Sequence, residues 1–178
     1  MVNFKKEIIP LLLSCIILIF FEIISTTIFP IIGIDNVRIP FHVLIILYMG
    51  FKLETAWLGI LIFVVMFTHS FFTIEGWEMG AIAGIITCTS ISYLRDVIHL
   101  SSVSLTMITV QIFQMVWFFI VALLIYIQID GWGYIVQKFW RFIPESILIS
   151  ILAPFAFNLL DKIWNPRLEG SFGSTEHF

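Results

Sequence analysis

The sequence predicts an all-α integral membrane protein with about six transmembrane helices. Two runs, residues 55–74 and 97–129, are 20 and 33 residues long and contain no Asp, Glu, Lys or Arg. A helix needs about 20 mostly apolar residues to cross the hydrocarbon layer, so each run is long enough. Composition agrees: 60% of the residues are hydrophobic and 12% charged, against about 25% charged in a soluble domain, and mean hydropathy is +1.07. Backbone polar groups in lipid must be satisfied within the spanning structure, which leaves helices or closed barrels. A barrel would alternate polar and apolar residues in strands of about 10. Residues 58–66 are apolar throughout, so helices are expected, with almost no aqueous domain. That excludes most classes of soluble enzyme.

The first helix is expected over residues 8–29, ahead of Pro30. Its apolar stretch exceeds the roughly 7–15 residues of a signal-peptide core, and no A-x-A pattern follows, so it reads as an uncleaved first span. Residues 33–38 form a turn. The second helix opens near Ile39-Pro40, where proline suits a first turn, and reaches Phe51. At 1.5 Å per residue it is about 20 Å long, short of the roughly 30 Å hydrocarbon core. It is therefore expected to be tucked among its neighbours or extended into residues 52–54. The third helix is expected over residues 55–73, the fourth over 76–94 and the fifth within 101–129.

Residues 130–141 make the longest connection. Trp132, Tyr134 and Trp140 suit the headgroup level and predict a short interfacial helix there. The sixth helix is expected over residues 142–164. Pro144 fits its first turn, Glu145 complements its dipole, and Pro154 should kink it mid-span. Residues 1–165 then form one polytopic membrane domain, and residues 166–178 a disordered cytoplasmic tail. No internal repeat is visible, which argues against an inverted-repeat transporter.

Orientation follows from the cations. Lys5, Lys6, Lys52, Arg95, Lys162 and Arg167 fall on one side of six helices, and Arg38, Lys138 and Arg141 on the other. The excess predicts that both termini face the cytoplasm. The net charge of −3 gives no reason to expect nucleic acid or another polyanion as a partner.

Few side chains could carry chemistry. Glu22 sits in the first span, where a charge costs at least about 2.5–3.5 kcal/mol, so it is either a coupling or binding residue or a neutral acid hydrogen-bonded inside the bundle. Gly76, Gly80 and Gly84, followed by Cys88 and Ser92, recur every fourth residue and form one small-residue stripe. Such a stripe lets another backbone approach closely, either within the monomer or on a partner. Cys15 and Cys88 lie inside apolar runs and read as packing residues. His42 and His69 near span ends, and His99 in a junction, have no metal-ligand spacing and read as packed or interfacial histidines. Glu75 and Glu78 flank Trp77 in a solvated turn. There is no phosphate-binding loop, nucleophile elbow or dinucleotide fingerprint, so no enzyme and no cofactor are expected.

The stretch Ile143-Pro144-Glu145-Ser146-Ile147-Leu148-Ile149-Ser150-Ile151-Leu152-Ala153-Pro154-Phe155 resembles the C-terminal signature of the bacterial rod shape-determining protein MreD family. In that family a Pro-Glu pair opens the last helix and a second proline follows about ten residues later. Arg38-Ile39-Pro40 is similar to the family's Arg-Pro motif before the second helix, and Gly76 and Gly80 stand where the family also has glycines. The acidic Leu-Asp-Leu motif that closes the third helix in many members is replaced here by Met66-Phe67-Thr68-His69-Ser70. The resemblance implies a non-enzymatic inner-membrane scaffold of the cell-elongation complex. It would work beside an MreC-like bitopic protein, with MreB and peptidoglycan synthases as direct or indirect partners. It also implies a fold similar to the substrate-binding subunits of energy-coupling-factor transporters. The rival expectation is therefore a vitamin-binding transporter subunit, with Glu22, His69, Glu75 and Trp77 as candidate pocket residues.

Overall fold

The computed structural model describes residues 4–28, 31, 39–73, 76–95, 102–129 and 132–164. Among them are six α-helices and no strand: α1 Phe4–Ile23, α2 Phe41–Lys52, α3 Leu58–Ser70, α4 Glu78–Leu94, α5 Val103–Ile129 and α6 Trp132–Trp164. A π-helical turn, Ile24–Ile28, continues α1. Glu7–Ile28, Val103–Gln128 and Trp132–Trp164 are long and apolar enough to cross a membrane, whereas α2, α3 and α4 have 12, 13 and 17 residues.

The short α2 is the centre of the molecule. Every residue from His42 to Phe51 is buried, and α2 touches each of the other five helices. A helix apolar on all sides gains most when protein surrounds it completely. Its ends explain how it can stop early. The carbonyls of the last turn have no partner within the helix. Here the Arg95 guanidinium donates through Nη2 to the carbonyls of Gly50 at 2.7 Å and Leu53 at 2.8 Å. A cation at a helix C-terminus also complements the helix dipole. Gly50 lets α4 come close: a Cβ there would lie 3.0 Å from Cys88 Sγ and 3.1 Å from Ile91 Cδ1.

Polar contacts at the helix ends establish that the helices alternate in direction. At one pole Thr55, just ahead of α3, donates to Glu7 near the start of α1 at 3.3 Å. Lys52 Nζ, ending α2, lies 3.5 Å from Asp161 near the end of α6. Tyr48 donates to the same Asp161 at 2.9 Å. Ser102 and Val103, at the start of α5, share a cleft with Lys52 and Asp161. The two ends of the described chain thus meet at one pole. The opposite pole gathers the end of α1, the start of α2 and the end of α3.

Three expectations change. Residues 132–141 are not a separate interfacial helix: α6 runs continuously from Trp132 to Trp164 through Pro144 and Pro154. The cause is pairing with α5. Trp132 lies 4.9 Å from Tyr126, and Phe142 stacks at 4.5 Å on Phe118, so the aromatic residues zip the segment onto α5 as an antiparallel hairpin. Pro144 and Glu145 consequently sit inside a helix instead of opening one. Gly76 is not part of the helical stripe either. Its φ of +76°, a conformation that glycine adopts without steric cost, turns the chain just ahead of α4. The expected turn at residues 33–38, Glu75, His99 and the tail lie outside the described residues.

Candidate functional site

The site forms where α1, α2 and α3 meet at the pole opposite Glu7. Glu22 occupies the last turn of α1, nearer a helix end than the middle of a span, and its residue is 6% exposed. Beyond it the helix widens into the π-helical turn, a distortion common at functional sites. The Thr26 hydroxyl donates back to the Glu22 carbonyl at 2.7 Å and supports that turn. Phe21 stacks on Phe41 at 4.0 Å, which fixes the end of α1 beside the start of α2. His42 follows Phe41. His69 comes from the last turn of α3, whose Thr68 hydroxyl reaches back to Cys15 of α1 at 3.7 Å.

These constraints bring one carboxylate and two imidazoles together. His69 Nδ1 is 2.8 Å from Glu22 Oε1, within hydrogen-bond distance. His42 Nδ1 is 3.8 Å from the same oxygen. The two imidazole rings stack with centroids 3.6 Å apart, and Trp117 of α5 turns an edge toward His42. The buried acid is therefore compensated by a partner helix. Chemically the group can hold a proton between nitrogen and oxygen, or offer nitrogen and oxygen donors to a cation.

A second polar region lies at the other pole. A cleft of about 200 Å³ is lined by Lys52, Ser102, Thr106, Asn158 and Asp161 together with apolar residues. Sites for drug-sized ligands occupy about 300–1,000 Å³, so this cleft is small for a vitamin. A further cleft of about 280 Å³ runs between α3 and α4 along Leu58, Ile62, Ile85 and Tyr93. Neither includes Glu22, His42 or His69.

The remaining candidates are dispersed. Gly80 and Gly84 are buried on α4, where Gly80 faces Met66 and Gly84 faces Ile62 and Trp117. Cys88 continues this line and donates to the Ile46 carbonyl of α2 at 3.4 Å. These contacts are all within the chain. Pro144 is exposed and Glu145 and Pro154 half-buried on α6. The fold does not join the glycines to the prolines, since α4 and α6 each pair extensively with α2 and α5. Trp77 packs edge-on against Phe63 at 4.9 Å.

Sequence reasoning singled out Glu22, read both histidines as packed or interfacial, and kept His69 only as a pocket candidate of the transporter-subunit reading. It also passed over Arg95. A signal was present: counted from one membrane face along alternating helices, the late Glu22, the early His42 and the late His69 reach the same depth. Local spacing motifs cannot reveal a group built from three helices. Compared with family models, with curated proteins and with solved structures, the chain matches none.

Proposed function

We propose that this protein is a non-enzymatic scaffold in the bacterial inner membrane, with both termini in the cytoplasm, that binds an MreC-like bitopic protein and supports peptidoglycan synthesis during cell elongation. One observation carries the reading. The segment that resembles the MreD signature presents a continuous apolar row on α6, with Pro144, Ile147, Ile151 and Phe155 all exposed. Its opposite face, Ser146, Ile149, Ser150 and Ala153, is buried against the bundle. The inward residues hold the helix, and the outward row is free to meet lipid or another transmembrane helix. Association in lipid rests on van der Waals packing and a few hydrogen bonds, so a shape-matched apolar face is a sufficient device.

Depletion should round the cells, and an MreC-like protein should co-purify in mild detergent. Phe155→Ala together with Ile151→Ala should weaken that co-purification while the protein still accumulates, because both side chains are on the exposed row. Depleted cells that stay rod-shaped but lose uptake of a vitamin, with rescue by excess vitamin, would establish the transporter-subunit reading instead.

A further inference from the structure

The Glu22–His42–His69 group has no part in a scaffold that works through the α6 face. Its three donor atoms come from three different helices and all lie within 4.8 Å of one another. Zinc holds imidazole nitrogen and carboxylate oxygen at about 2.0–2.2 Å in a tetrahedron, which separates neighbouring donors by about 3.3 Å. The observed 2.8 Å and 3.8 Å from Glu22 Oε1 to the two Nδ1 atoms bracket that value. The imidazole donors, at most 4.8 Å apart on stacked rings, come into register when the rings turn out of the stack and close by up to about 1.5 Å.

Charge points the same way. The donor set is one carboxylate oxygen and two imidazole nitrogens. A divalent cation balances the carboxylate while both rings stay neutral. Two imidazole nitrogens with one carboxylate oxygen suit zinc and its first-row neighbours, whereas calcium and magnesium take oxygen ligands. The surroundings are those of a built site. Trp117 turns an edge toward His42, and Phe21 and Phe41, the neighbours of Glu22 and His42 in the chain, stack on each other. The His69 side chain keeps 15% of its surface exposed, which gives access from the pole. Ser25, on the π-helical turn three residues beyond Glu22, is buried, and its Oγ has no hydrogen-bond partner among the described residues.

We propose that Glu22, His42 and His69 bind one divalent transition-metal cation of the zinc class, with a fourth coordination position left for water. The cation clamps α1, α2 and α3 together at this pole. The proposal stands independently of the scaffold reading.

The test uses the full chain, purified in detergent without a polyhistidine tag and stripped with a chelator. Titration with Co2+ should give saturable ligand-field absorption at one equivalent per chain, bleached by one equivalent of Zn2+, and Zn2+ should raise the thermal unfolding temperature. His69→Ala and Glu22→Gln should each weaken Zn2+ binding at least about tenfold, in line with the sensitivity of metal sites to their ligands. The double variant His99→Ala/His177→Ala should bind like the wild type. Failure of the wild-type chain to bind either ion would overturn the proposal, whatever the variants do. So would binding unchanged by His69→Ala, or binding lost in His99→Ala/His177→Ala, since the metal would then sit elsewhere. Wild-type binding combined with a variant that misfolds is decided by His42→Asn, which should also lose affinity at least about tenfold.

Discussion

The two buried glycines of α4 show how one residue type meets different constraints. A Cβ at Gly84 would come within 2.8 Å of Ile62 Cγ2 and 3.2 Å of the Trp117 ring. Both neighbours are stiff, and overpacking of that kind costs about 1–3 kcal/mol. At Gly80 the obstacle is the end of Met66, a flexible thioether that can swing aside. Replacing glycine by alanine inside a helix gains about 1 kcal/mol of propensity, which offsets that adjustment. With the same gain set against the overpacking, Gly84→Ala should lower stability by up to about 2 kcal/mol, and Gly80→Ala should change it by less than about 1 kcal/mol. Thermal unfolding in detergent reads both. The reverse order would show that α4 is packed differently. The stripe itself was legible in the sequence as a four-residue repeat. Which of its members touch rigid neighbours was not, because Ile62 and Trp117 belong to other helices.

Between elements, the hairpin of α5 and α6 carries a polar core. Gln111 Nε2 donates to Ser146 Oγ at 3.1 Å, and Ser150 donates to Gln111 Oε1 at 2.6 Å. Gln114, on the same helix, is 2% exposed, and neither of its amide atoms has a hydrogen-bond partner among the described residues. Interhelical hydrogen bonds in membrane bundles average about 0.6 kcal/mol and reach about 1.7. Gln111→Met removes two of them and should cost about 1–3 kcal/mol. Gln114→Met keeps the shape and removes an unpaired buried amide, so it should be neutral or stabilising by up to about 2 kcal/mol. The two variants should move the unfolding temperature in different directions. A loss of stability in both would mean that Gln114 has a partner after all. The helices themselves were largely legible: α2, α4 and α5 begin and end within about two residues of the expected bounds, which is the ordinary uncertainty of helix ends. The start of α6 was not. Trp132 and Trp140 carry the interfacial signature that misdirects the reading, and only the pairing with Tyr126 and Phe118 makes the segment one with the last helix.

At the scale of the molecule, the contacts Glu7–Thr55 and Lys52–Asp161 gather both described chain ends at one pole. Reporter fusions should accordingly place both termini on the same side of the membrane, and the lysine and arginine count predicts the cytoplasmic side. A reporter active only in the periplasm that gives signal at the C-terminus would refute that arrangement. By itself the sequence determined that the chain is helical, roughly where most of the described helices lie, and that some runs are long enough to span. These properties add up locally from apolar length and helix punctuation. Tertiary structure alone decided that α2 is enclosed by all its neighbours, that Arg95 caps it, and that Glu22 meets His42 and His69. Each of these depends on alternating helix direction and close interhelical packing. Those relations join residues up to 113 positions apart and leave no trace in the spacing of any one segment.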